Sequence, residues 1–419
     1  MDLAAMKIVV AGAASGGAAA ALLLARAGAR VTLLERVERP RAVGAGIGLA
    51  DNGLAVLESL GLGPALAAVA RPVGAARIVD GAGRTIFAPP EPSPRVWMVR
   101  RSDLQGLLLD AVAAEPRIDL RLGAEVVCAT PDGRVSVRAA SIDFELAADL
   151  VVGADGVGSR VREGGRFGAR LAPPGIPYLR ALVTSAPALG EEAWTAAGLF
   201  GSFAVADGVY VYASAGSSRA REAIAARDLA ALRAAWAVAY PPSAPLLAGV
   251  ARFEDLAIHP VQRVDCAHWH DGRLVLVGDA AHAMAPNLGQ GANSALVDAA
   301  VLLDELRRAT TLTAGLTAYQ ERRRPAVHRV AAAAARLGAL AEWTQPLARR
   351  VRDRWLMPLA ARLARPGDLD RLLQEPRETL LAIGRGLRQG CVTLQAEVPP
   401  ASKPSMNSAE SGPSKKNRP

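Results

Sequence analysis

The residues best placed to do chemistry lie between Gly272 and Asp298, GRLVLVGDAAHAMAPNLGQGANSALVD. Leu274-Val275-Leu276-Val277 is a short apolar run with the length and branching of a buried strand. Asp279 follows Gly278 directly, and a loop carrying Pro286 and Asn287 comes next. Gly289-Gln290-Gly291 then opens a run with helical periodicity, Ala292 to Leu306. A strand that runs into a glycine turn and a helix start presents free N–H groups and the positive end of a helix dipole. Both suit an anion or a polarised oxygen. Asp279 cannot serve that anion; its carboxylate accepts hydrogen bonds and suits a chain of sugar hydroxyls. The same residues also make a plain strand–loop–helix joint. Of the five histidines, His282 is read as ordering this loop, and none stands out as a general base.

A second constellation sits at the N-terminus. Ile8 to Ala25 carries no charge and follows Lys7, so it could pass for a signal peptide or a short membrane span. Its finer pattern reads as a βαβ unit. Lys7–Ala11 is a strand, Gly12-Ala13-Ala14-Ser15-Gly16-Gly17 a turn, and Ala18–Ala27 a small-residue helix stopped by Gly28. Val31–Leu34 is the second strand, ending in Glu35, an acid 18 residues beyond Gly17. In such units the glycines make the turn and allow close packing, and the acid binds ribose hydroxyls. Alanine replaces the middle glycine of G-x-G-x-x-G at Ala14, where a methyl group would crowd a pyrophosphate.

These sites need a scaffold, and 419 residues at 51% hydrophobic content bury a large core, enough for two domains. The net charge of +9 is dispersed and only 4% of residues are aromatic, which argues against a nucleic-acid reader. Cys128, Cys266 and Cys391 show neither metal-ligand spacing nor a disulfide framework, as in a reducing cytoplasm. Gly44–Gly48 reads as a flexible loop near a ligand, Asn52 as the cap of a helix Gly53–Leu60, and Arg77–Phe87 as a hairpin. A helix starts at Arg101, strands follow at 118–122, 126–129 and 135–138, and a strand at 149–152 leads into Gly153-Ala154-Asp155-Gly156-Val157-Gly158-Ser159-Arg160.

Taken together, the three glycine-rich segments carry a resemblance. The chain, over residues 6 to 345, resembles the group A flavin-dependent monooxygenases, the p-hydroxybenzoate hydroxylase-like family. The family's FAD-binding turn is matched by Gly12, Gly16, Gly17 and Glu35. Its DG motif is matched by Asp155-Gly156, Ser159-Arg160 and Arg162. Its GD motif is matched by Gly278–His282, Pro286 and Gly289–Asn293, and its helix-leading arginine by Arg101. The resemblance implies an α/β fold: a Rossmann-like FAD-binding domain with an inserted mixed β-sheet substrate domain and a helical C-terminal region. It implies that Gly12, Ser15, Gly16 and Gly17 face the FAD pyrophosphate and that Glu35 and Arg36 hold the adenosine ribose. Arg101 and Gln105 would lie along the FAD chain, Val126 near the adenine, and Asp279 at the ribityl chain or the adjacent phosphate region. Leu288, Gly289, Gly291, Ala292 and Asn293 would present backbone N–H groups to the flavin, with Pro286 and Gly289 roofing the oxygen site. Asp155 would support FAD and NAD(P)H handling, beside a plain role as a turn acid capping Gly158 or Ser159.

The implied reaction uses NADPH or NADH and dioxygen to hydroxylate an aromatic or heteroaromatic small molecule through a flavin C4a-hydroperoxide. A reductase, dehydrogenase or halogenase of the same fold, and a non-catalytic FAD-bound partner in a biosynthetic complex, remain as alternatives; no W-x-W pair favours the halogenase. The FAD-binding domain is expected over 1–75, 101–174 and 265–345, and the substrate domain over 76–100 and 175–264. Strands are expected at 179–184, 200–205 and 209–213, and one helix at 219–240. Tyr210 and Tyr212 share a strand face and can line a planar pocket or simply pack. Residues 346–395 read as broken helices, in which arginines 349, 350, 352 and 354 mix with Val351, Trp355, Leu356 and Met357. A solvated basic face with a core-facing apolar stripe is favoured there over membrane contact. A disordered tail is expected from 396 to 419.

Overall fold

The computed structural model describes every residue except 40–44, 75–76, 92–94, 141, 366, 369–371, 373–374, 385–386 and 388–419. The expected C-terminal tail therefore lies outside the described residues, as does part of the Gly44–Gly48 segment. A six-stranded sheet carries the motifs, in the order His270–Asp271, Leu274–Leu276, Leu150–Gly153, Lys7–Ala11, Arg30–Glu35, Ile118–Leu122. All pairs are parallel except the first. Its middle strands are near-continuous runs of Val, Leu and Ile because both faces are buried. The uncharged N-terminal stretch is thus a core strand and a core helix, Ser15–Arg26.

Small residues on that helix set how closely the chain can pack. A side chain at Gly16 would lie 2.9 Å from the Ala295 methyl on the helix Gly291–Arg308. One at Gly17 would lie 1.9 Å from the Gly12 carbonyl oxygen, and one at Gly12, whose φ is +93°, 2.5 Å from the Ala154 carbonyl oxygen. The first glycine turn therefore rests on the residues just before Asp155. Two motifs far apart in sequence share one contact surface.

A seven-stranded mixed sheet forms the other half. Its order is Ala257–Pro260, Pro177–Val183, Gly208–Ser214, Leu199–Val205, Glu191–Trp194, Arg77–Asp80, Thr85–Phe87. Hairpin 77–87 joins this sheet by pairing Arg77–Asp80 in parallel with Glu191–Trp194. One face packs Leu179, Phe200, Val211 and Ala213 on the helices around Trp236 and Tyr240. Alternate residues point the other way.

Four sequence expectations are corrected. Residues 46–50 form a strand paired with Val96–Arg100 rather than a loop. The helix after it is Asp51–Ser59 with Ala50 as N-cap; Asn52 is inside it, and its amide reaches the Gln290 side-chain oxygen at 3.3 Å. The span 219–240 is two helices, Ser218–Ala225 and Leu229–Ala239, because Arg227 turns the backbone to φ +53° and Asp228 caps the second helix at Ala231 N–H. Near the C-terminus, Leu347, Val351, Trp355 and Leu356 are exposed, so the apolar stripe does not face the core; Met357 and Arg352 do.

A buried ionic knot ties the glycine loop to the helices behind it. One Asp298 carboxylate oxygen accepts from Gly278 N–H (2.9 Å) and bonds His282 Nε2; the other accepts from Arg323 Nε (2.8 Å). Asp298 and Arg323 are wholly buried. Burial raises the Asp298 carboxyl, but the His282 and Arg323 charges outweigh it and hold it at about 2, below the ordinary 3.8. Asp298→Asn is expected to cost roughly 3–5 kcal/mol, because Arg323 is left buried without its anion. The folded pKa is depressed, so this stability is complete above the unfolded value and disappears as pH falls from about 4 towards 2. Urea melts of the two proteins across that window check both; equal midpoints at neutral pH would refute the assignment.

Candidate active site and cofactor cradle

The first glycine turn leaves a helix N-terminus open. Helix Ser15–Arg26 has Ala14 at its N-cap with no side-chain cap and no acid in its first turn. Its leading N–H groups thus have no side-chain cap among the described residues. Ala14 sits at φ −68°, ψ −179°, a conformation any residue adopts, so the missing glycine introduces no backbone strain. The Ala13 peptide is held from both sides: its N–H donates to Glu35 Oε2 (2.9 Å), and its carbonyl accepts from Gln105 Nε2 (2.6 Å). Glu35 Oε1 also accepts from Val37 N–H at 3.1 Å. Glu35 therefore shapes the turn as well as standing at the strand end where a ribose would lie. Arg36 is exposed just beyond it, and Val126 is buried in the strand Ala124–Ala129.

Asp155 belongs first to its own turn. Its Oδ2 accepts from Arg160 N–H (2.7 Å) and Val161 N–H (3.2 Å), capping the helix Arg160–Glu163 together with Ser159. Burial pushes its carboxyl up, against the hydrogen bonds that favour the anion. Its Oδ1 is buried with no hydrogen-bond partner among the described residues. Arg162, also buried, donates to Val157 O (2.5 Å) and to Ala280 O (2.9 Å), linking the second motif to the third.

At the third motif, Asp279 opens a single helical turn, Asp279–His282, where a loop was expected. Its side chain is exposed and has no partner among the described residues. Pro286–Leu288 form a 3₁₀ turn that ends at Gly289, φ +62°. A side chain at Gly289 would meet open space, and one at Gly291 would meet nothing nearer than Asp279 Oδ1 at 4.0 Å. Helix Gly291–Arg308 starts without a side-chain cap or an acid in its first turn. Asn293 holds this corner together: its Oδ1 accepts from Ala50 N–H (3.0 Å), and its Nδ2 donates to Gly48 O (2.9 Å) and Gly289 O (2.8 Å).

A cavity of about 510 Å³ opens above this corner. Arg101, Asp279, Pro286, Leu288, Gly289, Gly291 and Ala292 form one wall, and Tyr210 and Tyr212 stand on the other. Gly12, Ser15, Gly16, Gly17, Glu35, Arg36, Gln105, Val126, Asp155 and Asn293 are not part of its lining. The far wall is the second face of the seven-stranded sheet. Cross-strand register places Arg180, Tyr212, Gly201 and Glu192 in one row. Gly201 has a purpose there, since a methyl group on it would lie 2.2 Å from the Tyr212 ring. Its absence lets the ring lie across the strand and donate its hydroxyl proton to Glu192 Oε2 at 2.8 Å. Trp194 Nε1 donates to the other oxygen at 2.7 Å. Burial pushes the Glu192 carboxyl up, with these two donors pulling it back. Tyr210 stacks on Tyr212 (5.4 Å) and Phe203 on Tyr212 (6.3 Å). Tyr178 accepts from Asn287 Nδ2 at 3.0 Å, joining the two walls.

Sequence reasoning missed Glu192, Arg180 and Tyr178. Glu-Glu-Ala-Trp has poor strand propensity, so its strand, and with it the alternation that sends Glu192 inward, was not drawn. The strand Pro177–Val183 begins two residues earlier than expected, which put Tyr178 outside it. The signal available was Gly201 between tyrosine-bearing strands, since an interior strand glycine often marks a close approach.

The residues fit FAD. Two uncapped helix N-termini stand ready for a pyrophosphate and a developing negative charge, an unpartnered carboxylate for ribityl hydroxyls, and a side-chain-free floor at Gly289 and Gly291 for a flat ring. The family model described as "FAD binding domain" matches residues 5–170 and 231–334. Kynurenine 3-monooxygenase of Salinispora arenicola is 31% identical, over 90% of this chain and 94% of that protein. Aurachin C monooxygenase/isomerase of Stigmatella aurantiaca is 28% identical, over 85% and 95%. Among solved structures, 2-methyl-3-hydroxypyridine-5-carboxylic acid oxygenase superposes with a TM-score of 0.73 at 27% identity, covering 86% of this chain and 96% of that one. Klebsiella pneumoniae HpxO complexed with FAD and uric acid shares the fold at TM-score 0.71 and 22% identity, over 91% and 98%.

Glu35→Ala is expected to weaken FAD retention about tenfold, within the range for one charged hydrogen bond, against Glu145→Ala as the exposed control. Fluorescence titration of the apoproteins measures it. Equal affinities would remove Glu35 from the cradle.

Proposed function

The chain belongs to the FAD binding domain family, and on that premise we propose which residues serve the reaction and what class of molecule the cavity takes. It is an FAD-dependent monooxygenase acting on an aromatic or heteroaromatic compound. FAD, when bound, supplies the redox and oxygen chemistry. Gly12, Ser15, Gly16, Gly17, Glu35, Arg36, Arg101, Gln105, Val126, Asp155 and Asp279 hold it, and the N–H groups from Leu288 to Asn293 favour negative charge at the edge they face. Pro286 and Gly289 close the cavity over the reacting position and keep water out. NADPH or NADH is the reductant, and the cytoplasm, where dispersed thiols stay reduced, is the compartment.

The observation that carries the substrate reading is the row Arg180–Tyr212–Gly201–Glu192 on the wall opposite the glycine corner. Tyr210, Tyr212 and Phe203 give flat apolar surface for a ring. Arg180, which no acid pairs with among the described residues, suits an anionic or carbonyl substituent at one end. At the other, a ring O–H or N–H gives its proton to the Tyr212 oxygen as the Tyr212 hydroxyl gives its own to Glu192 Oε2. The ring then gains the electron density that attack by an electrophilic oxygen needs. A relative named for a hydroxypyridine carboxylic acid fits the same pattern of substituents. The test is a screen of such acids for stimulated NAD(P)H oxidation and a product one oxygen atom heavier. With a positive compound, Glu192→Gln is expected to retain FAD, lower kcat/KM by about 10²–10⁴ and flatten its acid limb. An unchanged rate and pH profile would place the proton acceptor elsewhere. Pro286→Gly and Gly289→Val are expected to bind FAD yet release more hydrogen peroxide per NAD(P)H, measured with and without substrate; tight coupling in both would remove this corner from the oxygen site.

A further inference from the structure

The segment Pro346–Leu363 has a surface that the reaction does not use. It is a continuous helix: Pro346–Val351, a wide π turn at Arg352–Leu356, and Met357–Leu363. Its core side is narrow. Arg352 is wholly buried, stacks over Trp194 (5.3 Å) and donates to Trp194 O (3.1 Å), and Met357 packs beside it. Its outer side carries Leu347, Val351, Trp355, Leu359 and Leu363, each four residues from the last, with Leu356 beside them. Trp355 is 72% exposed, Leu347 73% and Leu363 68%. Six of the eleven large apolar side chains exposed among the described residues fall in this one stretch, so they form a patch rather than scatter. In a uniform α-helix a row at four-residue spacing drifts about 40° per step. The π turn takes back part of that drift, which keeps the row on one side.

Charge surrounds the stripe. Residues 346–365 hold six arginines and one carboxylate, Asp353, which Arg352 occupies at 2.7 Å. Arg350, Arg354, Arg362 and Arg365 are exposed. Beside them opens a cleft of about 640 Å³ lined by Arg84, Arg219, Arg349, Arg350 and Arg354, with Ser217 and Ser218 at a helix start. Its two acids are taken, Asp80 by Arg84 and Asp353 by Arg352. Val238, 78% exposed, lines the same cleft. Among the described residues no helix is long and apolar enough to cross a membrane.

We propose that this face docks on an anionic lipid bilayer surface, the Leu347–Leu363 stripe entering the headgroup–acyl boundary and the arginines of the flank and cleft meeting lipid phosphates. An apolar row of about this length with arginines along it and a snorkelling rim is what holds a helix in the interface plane. A second copy of the chain fits less well, because a two-fold contact sets arginine against arginine. The chain beyond residue 388 fits less well too, since its sequence is poor in large apolar residues and carries more Lys and Arg than Asp and Glu.

The full-length, FAD-loaded protein is mixed with phosphatidylcholine vesicles, with and without phosphatidylglycerol, and floated. Binding is expected to the anionic vesicles and to weaken with salt. The combined Leu347→Ser, Trp355→Ser and Leu359→Ser protein is expected to lose at least about tenfold of it. The combined Arg350→Gln, Arg354→Gln and Arg362→Gln protein is expected to lose the preference for phosphatidylglycerol while retaining NAD(P)H oxidation. Fluorescence of Trp355 is expected to shift to the blue on binding, a shift absent in Trp355→Phe, which still floats. Flotation that ignores the anionic lipid or the stripe substitutions overturns the proposal. So does a concentration-dependent dimer abolished by Trp355→Ser, which assigns the face to a second copy. So does a Trp355 shielded from acrylamide in a protein that binds no vesicle, which assigns it to the chain's own terminal residues.

Discussion

One buried carboxylate sets the geometry on which the site depends. Asp298 takes hydrogen bonds from the backbone at the end of a core strand, from His282 one turn further, and from Arg323 on the helix behind. Three segments that a ligand needs in fixed relation are thereby referred to a single atom pair. Charges at zero exposure are costly unless matched; both Asp298 oxygens are matched here, while the two Arg323 Nη groups have no hydrogen-bond partner among the described residues. Gly278, at φ +59° and packed close to the Ala295 methyl, ends the strand with its N–H on Asp298. Asp279 is then carried out of the core to face the cavity, while its neighbours Ala280–His282 stay buried. A rigid interior contact is what makes an exposed, unpartnered acid usable.

The cavity joins two structures of different character. Its glycine wall offers backbone: helix ends without caps and turns without side chains. Its sheet wall offers side chains, ordered by strand register into an aromatic floor with a cation at one end and an acid at the other. The first kind of surface recognises a large cofactor of fixed shape. The opposite face of the same sheet packs on helices, so changes on the cavity face leave that packing in place. Asn293 fixes the glycine wall to the strand Gly46–Ala50, and the Tyr178–Asn287 bond joins the two walls.

The motif-bearing half was legible in the sequence because its requirements are local. Gly12 and Gly17 sit where a methyl group would collide with backbone, and Gly16 and Gly278 where it would collide with the Ala295 side chain, so residue identity alone reports the geometry. The position of Glu35 at a strand end was legible from its distance, though not its bond to the Ala13 peptide. The substrate wall was half legible. Tyr210 and Tyr212 stood out in a chain poor in aromatics, but Glu192 did not, because its function comes from register across three strands rather than from any spacing along the chain. The helix break at Arg227 escaped because helical periodicity continues through it, and the direction of the 347–363 stripe escaped because periodicity identifies an apolar face without saying what it meets.

Gly201 and Tyr212 occupy one volume between them. Neither position is free to change alone: a side chain at 201 evicts the ring, and a smaller residue at 212 leaves a hole over bare backbone and strips Glu192 of a donor. Across related sequences the two positions should therefore covary, bulk moving from one strand to the other while total volume is kept. For anyone redesigning the scope of the cavity, they amount to a single two-state element, and a library that randomises them separately would sample mostly broken intermediates.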